Sequence, residues 1–239
     1  ALREKALFLR ISPAVKKTNE GIQNLLLKNN FVAAGNPQQH TSTMALNIAA
    51  GDPETLLKSF HEKTRYNIRL AFKKGVTVAP CTDEKDIDAF YKILQQMSKR
   101  QDYELFPLEF YKMVFRTMVP KNMATLYLAY FEGKIVGGIF NLHCAKKTWY
   151  MWGASDHNYR QYMPNYALHW TALQDAIKNG FTTYDFQGIP ENPDPKSPMW
   201  GFYNFKKGFN GEILRLVGEW DIPGRLKPLY MIANKLKLV

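Results

Sequence analysis

Residues 123–155, MATLYLAYFEGKIVGGIFNLHCAKKTWYMWGAS, decide the fold. Their apolar residues recur with a period of two, which predicts strands over 123–131, 134–143 and 147–152. Glu132-Gly133 and Ala145-Lys146-Lys147 are short enough to join them as hairpins. On both sides the period becomes helical. EKDIDAFYKILQQMSKRQ (84–101), with Thr82 as its cap, and LEFYKMVFRTMV (108–119), after Pro107, predict two helices upstream. Downstream, a helix over 165–179 closes on Asn179-Gly180, TTYDFQGI (182–189) is a strand, and EILRLVGEWDI (212–222) is another.

The order helix–helix–strand–strand–strand–helix–strand–helix–strand gives an α/β (α+β) chain built on a mixed, mostly antiparallel sheet flanked by helices. It resembles the N-acetyltransferase (GNAT) superfamily. Before it, ALFLRI (6–11), TMALNIAA (43–50) and GVTVAPC (75–81) read as strands. TNEGIQNLLLKNN (18–30), capped by Thr18, reads as a helix, as does a long segment from Asp52 and Pro53 to Gly75. That pattern matches the later half of a second such unit. The expected organisation is therefore tandem GNAT-like domains: residues 1–80 as the C-terminal half of the first, truncated at its N-terminus, and 81–239 as the second. The chain opens without Met on what reads as a helix end, so an N-terminal segment is expected to be missing and to be a partner of residues 1–80.

The 239 residues are 46% hydrophobic and 14% aromatic, enough for a packed core, and carry a net charge of +11. Such a charge suits an anionic partner: nucleic acid, a phosphorylated substrate or an anionic membrane face. Residues 1–80 hold 12 Lys+Arg against 5 Asp+Glu, so one third of the chain carries most of the excess. Arg65, Arg69 and Lys73 stand at i, i+4 and i+8 on one helix face. A solvated face accounts for them, but the charge split favours a phosphate-facing patch. Cys81 and Cys144 belong to no metal-binding pattern, and a reduced, cytoplasmic compartment is expected, with no metal. No apolar run approaches the roughly 20 residues a membrane span needs.

Acetyltransferases cradle the coenzyme A pyrophosphate on a Gly-rich turn at a helix N-terminus. The corresponding DHNYRQYMPNYALHW (156–170) has no glycine, which argues against coenzyme A as acyl donor and against a small-molecule acetyltransferase. KTRYNIRLAFKKGV (63–76), WYMWGASDHNYRQYMPNYALHW (149–170), YDFQGIP (184–190) and YNFKKGFNGE (203–212), in this order, resemble the Fem family. Its members are tRNA-dependent aminoacyltransferases that build peptidoglycan cross-bridges.

The resemblance implies transfer of an amino acid from aminoacyl-tRNA to the stem-peptide amine of a peptidoglycan precursor, with no cofactor because the ester is already activated. It implies that Phe205 stacks on the terminal adenosine and Lys206 meets the oxyanion, with Lys207 solvated or on phosphate. Tyr150 and Trp152 match the acceptor-contacting aromatics. Phe106 and Phe110 stand where one branch has a phosphate clamp, and Ser12 where a carboxylate is expected. These departures favour lipid II over UDP-MurNAc-pentapeptide, hence peripheral contact with the inner face of the membrane. They also support a rival reading, a non-catalytic tRNA-binding or scaffold protein of the same fold. The long coiled-coil arm of some members is absent, which leaves Arg65, Arg69 and Lys73 for tRNA. Of the remaining polar residues, Asp102 and Asp185 are candidates for proton transfer, Asp185 more simply holding the turn at Gln187-Gly188, and His143 reads as structural.

Overall fold

A computed structural model of the chain describes residues 6–238. In chain order the elements are β1 (Phe8–Ile11), α1 (Glu20–Lys28), β2 (Val32–Ala33), β3 (Ser42–Asn47), α2 (Pro53–Ser59), α3 (Glu62–Lys73), β4 (Thr77–Pro80), α4 (Asp86–Gln101) and α5 (Leu108–Met118). They continue with β5 (Ala124–Phe131), β6 (Lys134–Cys144), β7 (Lys147–Ser155), α6 (Pro164–Lys178), β8 (Thr183–Gly188), α7 (Trp200–Lys207), β9 (Glu212–Arg215), β10 (Trp220–Pro223) and α8 (Lys227–Lys235). By compactness they form two units. One holds residues 45–187 and 204–211, the other residues 6–44, 188–203 and 212–238. Residues 45–80, placed with the N-terminal domain by linear order, lie in the first of these with the 123–155 meander.

In that first unit the strands run β4-β5-β6-β7-β8. The first four pair antiparallel, and β8 joins β7 parallel through Lys147↔Thr183, Thr148↔Tyr184 and Trp149↔Asp185. A parallel pair needs a crossover, which α6 supplies, so the mixed, mostly antiparallel sheet expected from the sequence is present. β5 is buried along nearly its whole length because both its faces are covered. On one face Ile87, Phe90, Ile93 and Leu94 of α4 and Tyr111 and Val114 of α5 pack against Leu126, Leu128 and Phe140. α6 covers the other, with Ala167, Leu168, Ala172, Leu173 and Ala176 buried.

The long helix expected from Asp52 to Gly75 is two. Asp52 caps α2 through the amides of Glu54 and Thr55, but the chain turns extended at Phe60 before α3 begins. Burying the Phe60 ring, edge-on to Trp170 at 6.0 Å and Phe209 at 5.2 Å, outweighs the lost helical turn. α1 is capped by Asn19 rather than Thr18, and α4 starts at Asp86 with no capping bond from Thr82.

In the second unit β1, β10 and β2 make a three-stranded antiparallel sheet. The single strand expected over 212–222 is two strands in different sheets, parted at Gly218, whose φ of +79° only glycine adopts readily. α8 has no counterpart in the sequence reading. Arg10 fixes this sheet through a bidentate pair with Asp221, both bonds 2.8 Å, while Tyr230 of α8 donates to the same carboxylate.

One irregularity in the first unit positions the site. Phe140 pairs with Trp152 but Asn141 pairs with Tyr150, so Met151 is an extra residue in β7. Alternation is therefore broken between Tyr150 and Trp152, which a regular strand would place on one face. The Tyr150 ring folds over Gly153, where a Cβ would lie 2.6 Å from the ring and 2.9 Å from Ile139. Gly153→Ala should lower stability by about 1–3 kcal/mol through overpacking, read as a fall in the urea midpoint; an unchanged midpoint would show that the ring does not rest there.

Candidate active site

The lysine pair that reads as a charged turn in the sequence lies in the last turn of α7. Three contacts pin the end of that helix. The Gly208 carbonyl accepts from the His61 amide at 2.9 Å, and the Asn210 side chain donates to the Ser59 carbonyl at 3.2 Å. Gly208 itself approaches α3 so closely that a Cβ would sit 2.2 Å from Thr64 Oγ1. With the end held this way, successive residues point about 100° apart: Lys206 goes inward, 1% exposed, while Lys207 is exposed. Phe205 is half-buried, its ring edge-on to Tyr166 at 5.0 Å and to the fully buried Phe209 at 5.3 Å.

Lys206 reaches the place where β7 and β8 part after the Trp149↔Asp185 pair. Its Nζ lies 5.9 Å from the centre of the Tyr150 ring, a cation–π distance. Tyr150 stands edge-on to His169 of α6 at 4.5 Å, and His169 Nδ1 lies 2.9 Å from Tyr184 Oη. Burial pulls the Lys206 amine down to about 7, the nearby Asp185 carboxylate opposing the fall. Burial, reinforced by the Lys206 charge, takes His169 down to about 3, so the imidazole is neutral. Burial likewise raises the Tyr150 phenol above its ordinary range. Asp185 bonds the Gln187 amide at 2.8 Å and Lys147 Nζ at 2.7 Å, the turn-holding role read from the sequence.

Lys206, Phe205 and Tyr150 are thus brought together, and His169, which sequence reasoning missed, stands between the last two. The signal was weak, one histidine inside an apolar helix. Trp152 belongs elsewhere. It packs edge-on to Phe110 at 5.6 Å, Phe106 at 6.4 Å and Tyr111 at 5.5 Å, with Phe106 and Phe110 stacked at 4.3 Å. The two positions where a phosphate clamp was sought therefore form an aromatic cluster with the strand. Arg65 donates to the Phe60 and Lys58 carbonyls at the end of α2, a structural task, while Arg69 and Lys73 are exposed on α3. His143 is held between Thr125 and Thr148 at 3.0 and 2.9 Å and is depressed to about 4 by burial, as a structural histidine would be. Asp102 is the left-handed residue closing α4.

A sheet that splays beside a crossover helix, with an amine buried at the split, is the frame of an acyl-transfer enzyme. The model of the acetyltransferase (GNAT) domain family matches residues 58–207, and the chain belongs to that family. The lipid II:glycine glycyltransferase of Staphylococcus saprophyticus is 24% identical over 306 residues, spanning 99% of this chain and 73% of the relative. The Staphylococcus aureus protein of the same name is 25% identical over 310, with the same coverage. Among solved structures, FemX superposes with a TM-score of 0.85 at 22% identity, over 97% of this chain and 75% of that one. The resemblance to the Fem family and the expectation of an acyltransferase both stand. Among the described residues no helix is long and apolar enough to cross a membrane.

The Lys206 shift has a measurable consequence. A folded-state value near 7, against 10.5 for an ordinary lysine, means the buried cation opposes folding fully below pH 7. That cost fades as pH rises toward 10.5, where the amine is neutral in both states. Lys206→Met should therefore be more stable than the parent by on the order of a few kcal/mol at pH 6, the gap closing by pH 10. Parallel denaturation curves at the two pH values read this directly, and equal stability at pH 6 would contradict it.

Proposed function

We propose that the protein moves an amino acid from aminoacyl-tRNA to the stem-peptide amine of a peptidoglycan precursor, building the interpeptide bridge. The observation that carries the reading is the buried Lys206 amine beside Phe205, in a chain whose relatives are named lipid II:glycine glycyltransferases. The acceptor nitrogen attacks the ester carbonyl, forming the new C–N bond and driving the carbonyl electrons onto oxygen. Lys206 Nζ meets that oxyanion, a charge absent from the starting ester, so its help is specific to the transition state. Collapse expels the ribose oxygen, which takes up the proton lost by the amine. Phe205 stacks on the terminal adenine, Tyr150 flanks the reacting centre, and Arg65, Arg69, Lys73 and Lys207 are the candidates for tRNA phosphates, Arg69 and Lys73 the stronger.

Lipid II is the favoured acceptor over UDP-MurNAc-pentapeptide. Trp152, Phe106 and Phe110 form an aromatic surface with no cation among them to clamp a nucleotide diphosphate. The enzyme then works in the cytoplasm, peripherally at the inner membrane face. That same missing clamp is what a non-catalytic RNA-binding scaffold would show.

Lipid II incubated with the protein and a mixture of aminoacyl-tRNAs should gain the mass of one or more amino acids. The Lys206→Met protein should give no product above background while remaining folded. Full transfer by that variant sinks the oxyanion role, and tRNA binding with no transfer by the parent protein supports the scaffold.

A further inference from the structure

α3 presents two unlike sides. Thr64, Asn67, Ile68 and Ala71 are buried, whereas Tyr66, Arg69 and Lys73, at i, i+3 and i+7, share the opposite face, with Phe72 on its flank. Tyr66 is 60% and Phe72 41% exposed. Two large rings thus face water on a helix whose other side is well packed, interleaved with its cations. Glu62 is the acidic residue of this stripe, at its first turn, and the remaining charges on α3 and at its C-cap are Lys63, Arg65, Arg69, Lys73 and Lys74.

Both ends of α3 reach functional ground within the same unit. At the N-terminal end, His61 and Thr64 hold Gly208, two residues from Lys206. At the other end, Lys74 Nζ donates to the Gln161 carbonyl at 2.8 Å and lies 5.5 Å from the Tyr162 ring centre. That contact joins α3 to the turn before α6, the segment that in the sequence corresponds to the phosphate-binding turn of acetyltransferases. These contacts are made from the N-cap, the packed side and the C-cap of α3, so the helix spans from the reacting centre to the entry turn while Tyr66, Arg69 and Lys73 stay on its outer side.

We propose that the exposed face of α3 is a platform for single-stranded RNA, on which Tyr66 and Phe72 stack against bases while Arg69 and Lys73 meet phosphates. Exposed rings interleaved with cations match both the π-faces and the charge of an unpaired strand, and a stacking surface tolerates any base. The inference rests on the aminoacyl-tRNA reading, in which the segment bound is the unpaired 3′ end next to the aminoacyl ester.

Binding is measured with an uncharged single-stranded oligonucleotide of the tRNA 3′ sequence and with uncharged tRNA, as a function of salt. Tyr66→Ala combined with Phe72→Ala should weaken both about tenfold or more without changing the salt slope. Tyr66→Phe with Phe72→Tyr should restore binding. Arg69→Ala and Lys73→Ala should each lower the slope by roughly 0.7. Wild-type affinity in the double alanine variant, at matched thermal stability, overturns the proposal. The same result accompanied by active transfer leaves the functional reading intact. Loss of RNA binding in the double alanine variant, when the parent protein binds RNA but transfers nothing, supports the platform and removes the enzyme.

Discussion

Keeping a lysine amine out of water is the constraint on which the site depends. An ammonium is among the more expensive groups to bury, and Lys206 is 1% exposed, with the Tyr150 ring at cation–π distance. Asp185 and Tyr150 both help to offset this: the field of Asp185 favours the charge, and the Tyr150 ring face lies at cation–π distance. Neither suffices to restore an ordinary lysine. The backbone must therefore hold the residue in place, which explains why the end of α7 is fixed so thoroughly, by His61, by Ser59 and by the close approach of Gly208 to Thr64. The break between α2 and α3 serves the same end, because the turn at Phe60 lets His61 and Thr64 meet that helix end.

The extra residue in β7 divides the aromatic strand into two environments. Tyr150 turns to α6 and His169, while Trp152 turns to α5 and the Phe106–Phe110 stack. Two side chains that a motif groups together thus serve different surfaces, the second of them aromatic. β7 and β8 part after three paired residues, and Lys206 lies against Tyr150, the next residue of β7. Strand pairing, bulge and helix end together set one geometry, although each belongs to a different stretch of chain.

Much of this was legible in the sequence because hydrophobic period reports burial directly. The meander at 123–155 and helices α4, α5 and α6 follow from it with boundaries shifted by a few residues. What stayed hidden was decided by contacts distant in the chain. Phe60 breaks a helix because Trp170 and Phe209 bury it, and nothing within 52–75 encodes those partners. The Met151 bulge leaves no local mark, since the alternation of 147–155 reads the same with or without it. Arg65 looks like one of three equivalent cations until α2 ends beneath it. Phe205-Lys206 was found through its motif; its burial, the property that gives the amine its chemistry, came only from the fold.

That property also bears on why a lysine suits this position. Arginine keeps its charge under any burial, so a guanidinium would sit in the dry site permanently ionised. An amine near pH 7 balance behaves differently. With the Asp185 field already present, a substantial fraction is neutral, and further negative charge arriving beside it stabilises the charged form more. In the reaction proposed above, the developing oxyanion would raise the affinity of Lys206 for its proton as the transition state forms, so part of the interaction would be absent from the ground state. Desolvation destabilises the fold through this residue and, by the same physics, would make its response to the oxygen of the proposed reaction larger than a solvated lysine could give.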